Sequence, residues 1–124
     1  MFLNAAAVFF GGAFGALSRF LISETVHLNK LGIPLTIIII NFTGCFIMGA
    51  LDGFFRQRGH SAYGRHFFSV GFLGGFTTFS SFSLEFANLL RNGAYLSSFL
   101  YALLSVITAL SGFFAGYALI KIIK

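Results

Sequence analysis

Four long apolar runs alternate with three short polar connections along the chain. Each run is close to the ~20 residues that a helix needs to cross the hydrocarbon core of a bilayer. They predict spans over residues 1–23, 34–55, 66–90 and 96–120, together one all-α, four-helix transmembrane domain covering residues 1–124. Pro34 suits the first turn of the second helix, where its missing N–H would be unpaired in any case. The third run differs from the others. From Gly71 to Phe86 it holds two adjacent glycines, Gly74 and Gly75, then five hydroxyls (Thr77, Thr78, Ser80, Ser81, Ser83) interleaved with phenylalanines. A plain anchor reads as Leu, Ile, Val and Ala. Hydroxyls and freed backbone at membrane depth are tolerated where they face protein or line a wet path. This stretch is therefore the candidate functional centre.

The other runs carry small residues at helical spacing. Gly11/Gly15, Gly12/Ala16 and Gly112/Gly116, with Gly44, Gly49 and Gly53, predict close approach of helix backbones. Asn41 interrupts a β-branched run and leaves two readings open: an interhelical hydrogen-bonding residue, or an NH2 donor facing an anion path. Arg19 is either a snorkelling anchor or a buried group that holds helix-end carbonyls, or it offers positive potential at a pore mouth, with Glu24 in reach as a partner. Tyr101, Ser105 and Thr108 share one face of the fourth helix. They form a polar track there, or bond back to their own helix.

Composition places these runs in a membrane. The chain is 57% hydrophobic and 9% charged with mean hydropathy +0.91, whereas soluble domains carry about 25% charged residues. The net charge of +5 does not point to nucleic acid, because the basic residues sit at the ends of the runs. Arg56, Arg58, His60, Arg65 and His66 make the second connection basic. With four spans that connection shares a side with Lys121 and Lys124, opposite Lys30 and Arg91. The bias favours cytoplasmic termini. It is small, so insertion in both orientations and an antiparallel homodimer are physically open. The lone Cys45 cannot form an intrachain disulfide and reads as a small packing residue. Residues 1–23 lack a basic start and an A-x-A-like site, and are expected to be a retained helix. No catalytic triad or metal-ligand spacing is present, so no enzyme is expected.

Chemistry concentrates in the third run. A helix break at Gly74–Gly75 would free carbonyls near Gly74 and Thr77, oxygen ligands for a hard monovalent cation such as Na+. An unbroken glycine packing face is the alternative. Phe79 and Phe82 stand three apart, and aromatic ring edges are positive. With Thr78, Ser80, Ser81 and Asn41 as donors they could receive a small anion, and weak donors let it leave again. Ordinary ring packing is the alternative. Glu85, one turn on, is expected near the membrane edge, capping a vestibule or pairing with Arg19 or Lys30.

The residues Gly11-Gly12-Ala13-Phe14-Gly15-Ala16-Leu17-Ser18-Arg19-Phe20, Asn41-Phe42-Thr43-Gly44 and Gly71-Phe72-Leu73-Gly74-Gly75-Phe76-Thr77-Thr78-Phe79-Ser80-Ser81-Phe82 resemble, in order and spacing, the Fluc (CrcB) family of small fluoride channels. The resemblance covers essentially the whole chain. It implies a dual-topology antiparallel homodimer with two fluoride pores, each lined by both copies, that passively exports cytoplasmic fluoride across the inner (plasma) membrane. It further implies that Phe79 and Phe82 are pore phenylalanines and Asn41 the pore asparagine. Backbone carbonyls of Gly74 and Thr77 from each copy would hold a central structural Na+. Tyr101, Ser105 and Thr108 would be the polar track, with Ala109 where that face continues. A small four-span proton-coupled multidrug exporter is one rival, but it needs a carboxylate deep in the first span, and Glu24 stands only at its end. A non-transporting membrane assembly subunit is the other.

Overall fold

A computed structural model of the chain describes residues 1–59 and 62–123. His60 of the basic connection, Ser61 and the terminal Lys124 lie outside the described residues. Four segments are long and apolar enough to cross a membrane: Phe2–Thr25, Leu35–Arg58, Ala62–Arg91 and Tyr95–Ile122.

The first, α1, is continuous over Phe2–Thr25. A two-residue antiparallel pair follows, β1 (Asn29–Lys30) with β2 (Ile33–Pro34), in the register Asn29↔Pro34 and Lys30↔Ile33. Both residues of its turn have positive φ, Leu31 at 55° and Gly32 at 76°, the twist that a two-residue hairpin favours. The Thr36 hydroxyl ties the turn to the next helix, donating to the Val26 carbonyl at 2.8 Å and accepting from the Leu28 amide at 3.0 Å. Pro34 is thus extended and precedes α2 (Leu35–Arg58) as its N-cap, not within its first turn as expected. Its pairing in the hairpin holds it out of the helix.

The third segment is composite. It begins as α3 (Ala62–Arg65), continues as a π-helix over His66–Leu73 and one turn of α4 (Gly74–Phe76), and resumes as α5 (Phe79–Arg91). The last segment, α6, runs over Tyr95–Ile122.

Helices pack in two pairs, and small residues set both. In lipid no hydrophobic force joins helices, so close backbone contact must do so. Against α1, the π-helix and α4 approach so closely that a Cβ on Gly71 would lie 2.9 Å from the Val8 carbonyl oxygen. On Gly75 it would lie 2.5 Å from that of Gly12. In the other pair, Gly49 of α2 faces the Phe113 carbonyl of α6, and Gly116 of α6 faces the Phe46 carbonyl of α2. Two small apolar clusters join the pairs. One holds Ile37, Ile40 and Phe76; the other holds Ile33, Ile38 and Tyr101; Phe82 packs against both. Most other large apolar side chains, Phe9, Phe14, Leu103 and Phe114 among them, face outward.

Candidate functional site

Between α4 and α5 the backbone leaves the helix for two residues. Thr77 (φ −75°, ψ 155°) and Thr78 (φ −149°, ψ 121°) are extended. Gly74 and Gly75 are themselves helical, Gly74 with φ −63° and ψ −35°. The Thr77 amide and hydroxyl still donate to the Leu73 carbonyl, at 3.0 and 2.9 Å. The Thr78 amide donates instead to Asn41 Oδ1 at 2.8 Å, and Asn41 Nδ2 donates to the Thr78 carbonyl at 3.0 Å. The side chain of one helix thus pairs with an extended residue as a neighbouring strand would. On its far side Thr78 caps α5: its hydroxyl accepts from the Ser81 amide at 3.1 Å, a bond that satisfies one of the helix's free donors. The Ser80 and Ser81 hydroxyls lie 3.1 Å from the same oxygen.

These diversions have a consequence for two carbonyls. In a continuous helix the Thr78 amide would bond to Gly74 O, and the Ser81 amide to Thr77 O. Both amides are engaged elsewhere. Gly74 and Thr77 therefore present carbonyl oxygens without those helical partners, and Gly74 is exposed on the surface of the chain. The neighbouring Gly75 carbonyl accepts from Arg19 Nε at 3.2 Å. Arg19, half-buried, thus holds a carbonyl beside the extended pair.

A cavity of about 330 Å³ opens beside the same residues. Asn41, Thr77, Thr78, Phe79, Phe82 and Ser105 line it, with Cys45, Val106, Ala109 and Leu110. No lining residue carries a formal charge. Of the two protons on Asn41 Nδ2 one goes to Thr78, which leaves the other as a donor. The Phe79 and Phe82 rings are 5.1 Å apart and tilted by 32°. Phe82 is half-buried, stacked on Tyr101 at 5.2 Å and on Phe86 at 6.2 Å. Phe79 is 78% exposed, so one wall of the cavity is the outer surface of the chain.

Several sequence-predicted residues fall elsewhere. Ser80 and Ser81 belong to the cap and do not line the cavity. Tyr101 is fully buried behind Phe82, and its hydroxyl has no hydrogen-bond partner among the described residues. The Ser105 hydroxyl donates to the Tyr101 carbonyl at 2.7 Å, and that of Thr108 to the Leu104 carbonyl at 2.6 Å. Both protons are thus committed to their own helix, and only Ser105 of this row reaches the cavity. Glu85 lines a separate cavity of about 270 Å³ with His27 and Thr36. Among the described residues it forms no ion pair with Arg19 or Lys30, nor does Glu24 with Arg19; the ion pair found there is Arg56–Asp52. Cys45, expected only to pack, lines the cavity beside the extended pair, one turn after Asn41. That i, i+4 spacing was the available signal.

The sequence model for "CrcB-like protein, Camphor Resistance (CrcB)" matches residues 6–117. The chain is 44% identical over 119 residues to a Rhodopseudomonas palustris protein, covering 94% of this chain and 95% of that one. It is 41% identical over 112 residues to a Francisella philomiragia protein, 86% of each, and 40% identical over 116 residues to one from Nitratiruptor, 93% and 90%. All three carry the name "Fluoride-specific ion channel FluC".

Proposed function

This chain belongs to the CrcB family, and from that membership we propose that it is a passive, fluoride-selective channel of the inner (plasma) membrane that lets cytoplasmic fluoride leave down its gradient. The observation that carries the reading is the uncharged cavity at Asn41, Thr78, Phe79 and Phe82. A fixed ammonium or guanidinium there would hold an anion too tightly to release it. An amide N–H and ring edges bind it weakly enough for transit.

The working unit is an antiparallel homodimer with two pores. In support, Phe79 and Gly74 are exposed in the single chain, where a second copy would complete the wall. The basic residues also divide weakly between the two ends, which suits insertion in both orientations. The third helix is broken near mid-membrane, and its free Gly74 and Thr77 carbonyls suit a hard cation. One Na+ held by these oxygens from both copies would supply a fixed positive charge at the interface. Tyr101 does not line the cavity; stacked behind Phe82, it supports that ring at the edge of the fluoride path, with a hydroxyl that has no partner among the described residues. Arg19 is structural, through its bond to Gly75.

Purified protein in liposomes tests the channel. Fluoride efflux, read with a fluoride electrode, should be fast, and chloride efflux at background. Equal leakage of both ions, or none, would overturn the proposal. Phe82→Ile should slow fluoride at least about tenfold, roughly 1.4 kcal/mol on the barrier, with the dimer intact by size exclusion.

A further inference from the structure

Away from the cavity at Asn41 and Phe79, another of about 280 Å³ lies where α2 ends and the third segment begins. Two helix faces converge on it. Met48, Asp52, Phe55 and Arg56 recur at helical spacing along α2, and Arg65 and Ser69 are one turn apart on the third segment. Arg56 Nε is bound to Asp52 Oδ2 at 2.9 Å, which orients the guanidinium and leaves its terminal nitrogens available. Arg65 is exposed and has no ion pair among the described residues. Among the described residues the Ser69 hydroxyl has no hydrogen bond, whereas those of Ser18, Ser23, Ser83 and Ser105 donate to carbonyls of their own helices. Among the described residues, two arginines and one aspartate give the lining a formal charge of +1 (2 − 1).

We propose that this cavity binds the phosphate of an acidic phospholipid headgroup. The ligand chemistry is a phosphodiester with one negative charge, which the lining neutralises. Guanidinium forks match phosphate oxygens, and the Ser69 hydroxyl adds a neutral donor. Met48 and Phe55 supply an apolar floor for the glycerol and upper acyl chain. The position at span ends is where headgroups lie, and basic pockets between membrane helices bind such headgroups. Arg58 provides an internal control. It belongs to the same end of α2, but its guanidinium sits over the Phe54 ring, 5.7 Å from the centroid, outside the cavity.

Native mass spectrometry of the purified full chain, with phosphatidylglycerol or phosphatidylcholine of matched acyl chains, tests the site. Phosphatidylglycerol should be retained preferentially. Arg65→Gln should weaken its retention about fivefold, the factor that corresponds to ~1 kcal/mol per arginine at a membrane surface. Ser69→Ala should weaken it less, and Arg58→Gln should leave it unchanged. Equal retention of the two lipids, or an Arg58→Gln effect as large as that of Arg65→Gln, would reduce the pocket to diffuse surface charge and overturn the proposal. Displacement of the lipid by millimolar inorganic phosphate would assign the pocket to free phosphate and overturn the lipid source.

Discussion

Of the two N–H groups on Asn41, one serves the Thr78 carbonyl while Oδ1 takes the Thr78 amide. Asn41→Ala leaves both backbone groups unpaired, at about 1–3 kcal/mol each, so a marked fall in unfolding temperature is expected. Asn41→Asp keeps the acceptor for the Thr78 amide and adds a negative charge to the cavity wall. Like charges ~5 Å apart at an effective dielectric of ~20 repel by about 3 kcal/mol. Fluoride efflux should then fall roughly a hundredfold while helicity by circular dichroism persists; unchanged efflux would remove Asn41 from the path. Tyr101→Phe deletes a buried hydroxyl that has no partner among the described residues. The variant should be at least as stable as the parent in thermal unfolding, and a large loss would reveal a partner for that hydroxyl in the assembled protein. At this scale the sequence marked Asn41 as costly but left its two roles open. Its partner lies 37 residues away, and no local pattern reports on that distance. For the hydroxyl row of α6 the sequence likewise left two readings open, and Ser105 and Thr108 donate to carbonyls of their own helix while Ser105 also lines the cavity.

Glycines drew attention to the third run, yet the extended residues are the two threonines that follow. Gly75 serves close approach to α1 instead, while Asn41 and the Thr78 cap fix where α4 ends and α5 begins. Thr78→Val removes the cap hydroxyl at near-constant volume. A cost of ~1 kcal/mol is expected, read as a lower unfolding midpoint, with Thr78→Ser close to the parent. The two glycines should also differ sharply. A Cβ at Gly75 meets the Gly12 carbonyl, whereas one at Gly74 meets nothing within 4 Å. Gly75→Ala should separate α1 from the third segment and destabilise the fold. Gly74→Ala should spare the fold of the single chain, so any loss of dimer on dilution would report a second copy over that face. The four apolar segments were legible because hydropathy depends on composition alone. The hairpin at Leu31–Gly32 and the π-helix were not, since a positive φ at leucine and a widened turn leave no compositional mark.

For the molecule as a whole, the surface around Gly74 and Phe79 is exposed in the single chain beside the extended pair. If the Gly74 and Thr77 carbonyls of two copies share a sodium ion, exchanging all sodium for a large organic cation should lower fluoride efflux and loosen the dimer in the same titration. Efflux and dimer that ignore the exchange would separate those carbonyls from any cation. The pairing of helices bears also on how the chain is made. The first helix packs on the third segment and the second on α6, so neither of the first two spans finds its main partner in the other. At about 5–20 residues per second of synthesis, α1 waits in the bilayer for seconds before Gly71 exists. The order of assembly is therefore set by the ribosome. A nascent chain arrested after α2 should hold two mutually indifferent helices, open to capture by the insertion machinery until their partners emerge.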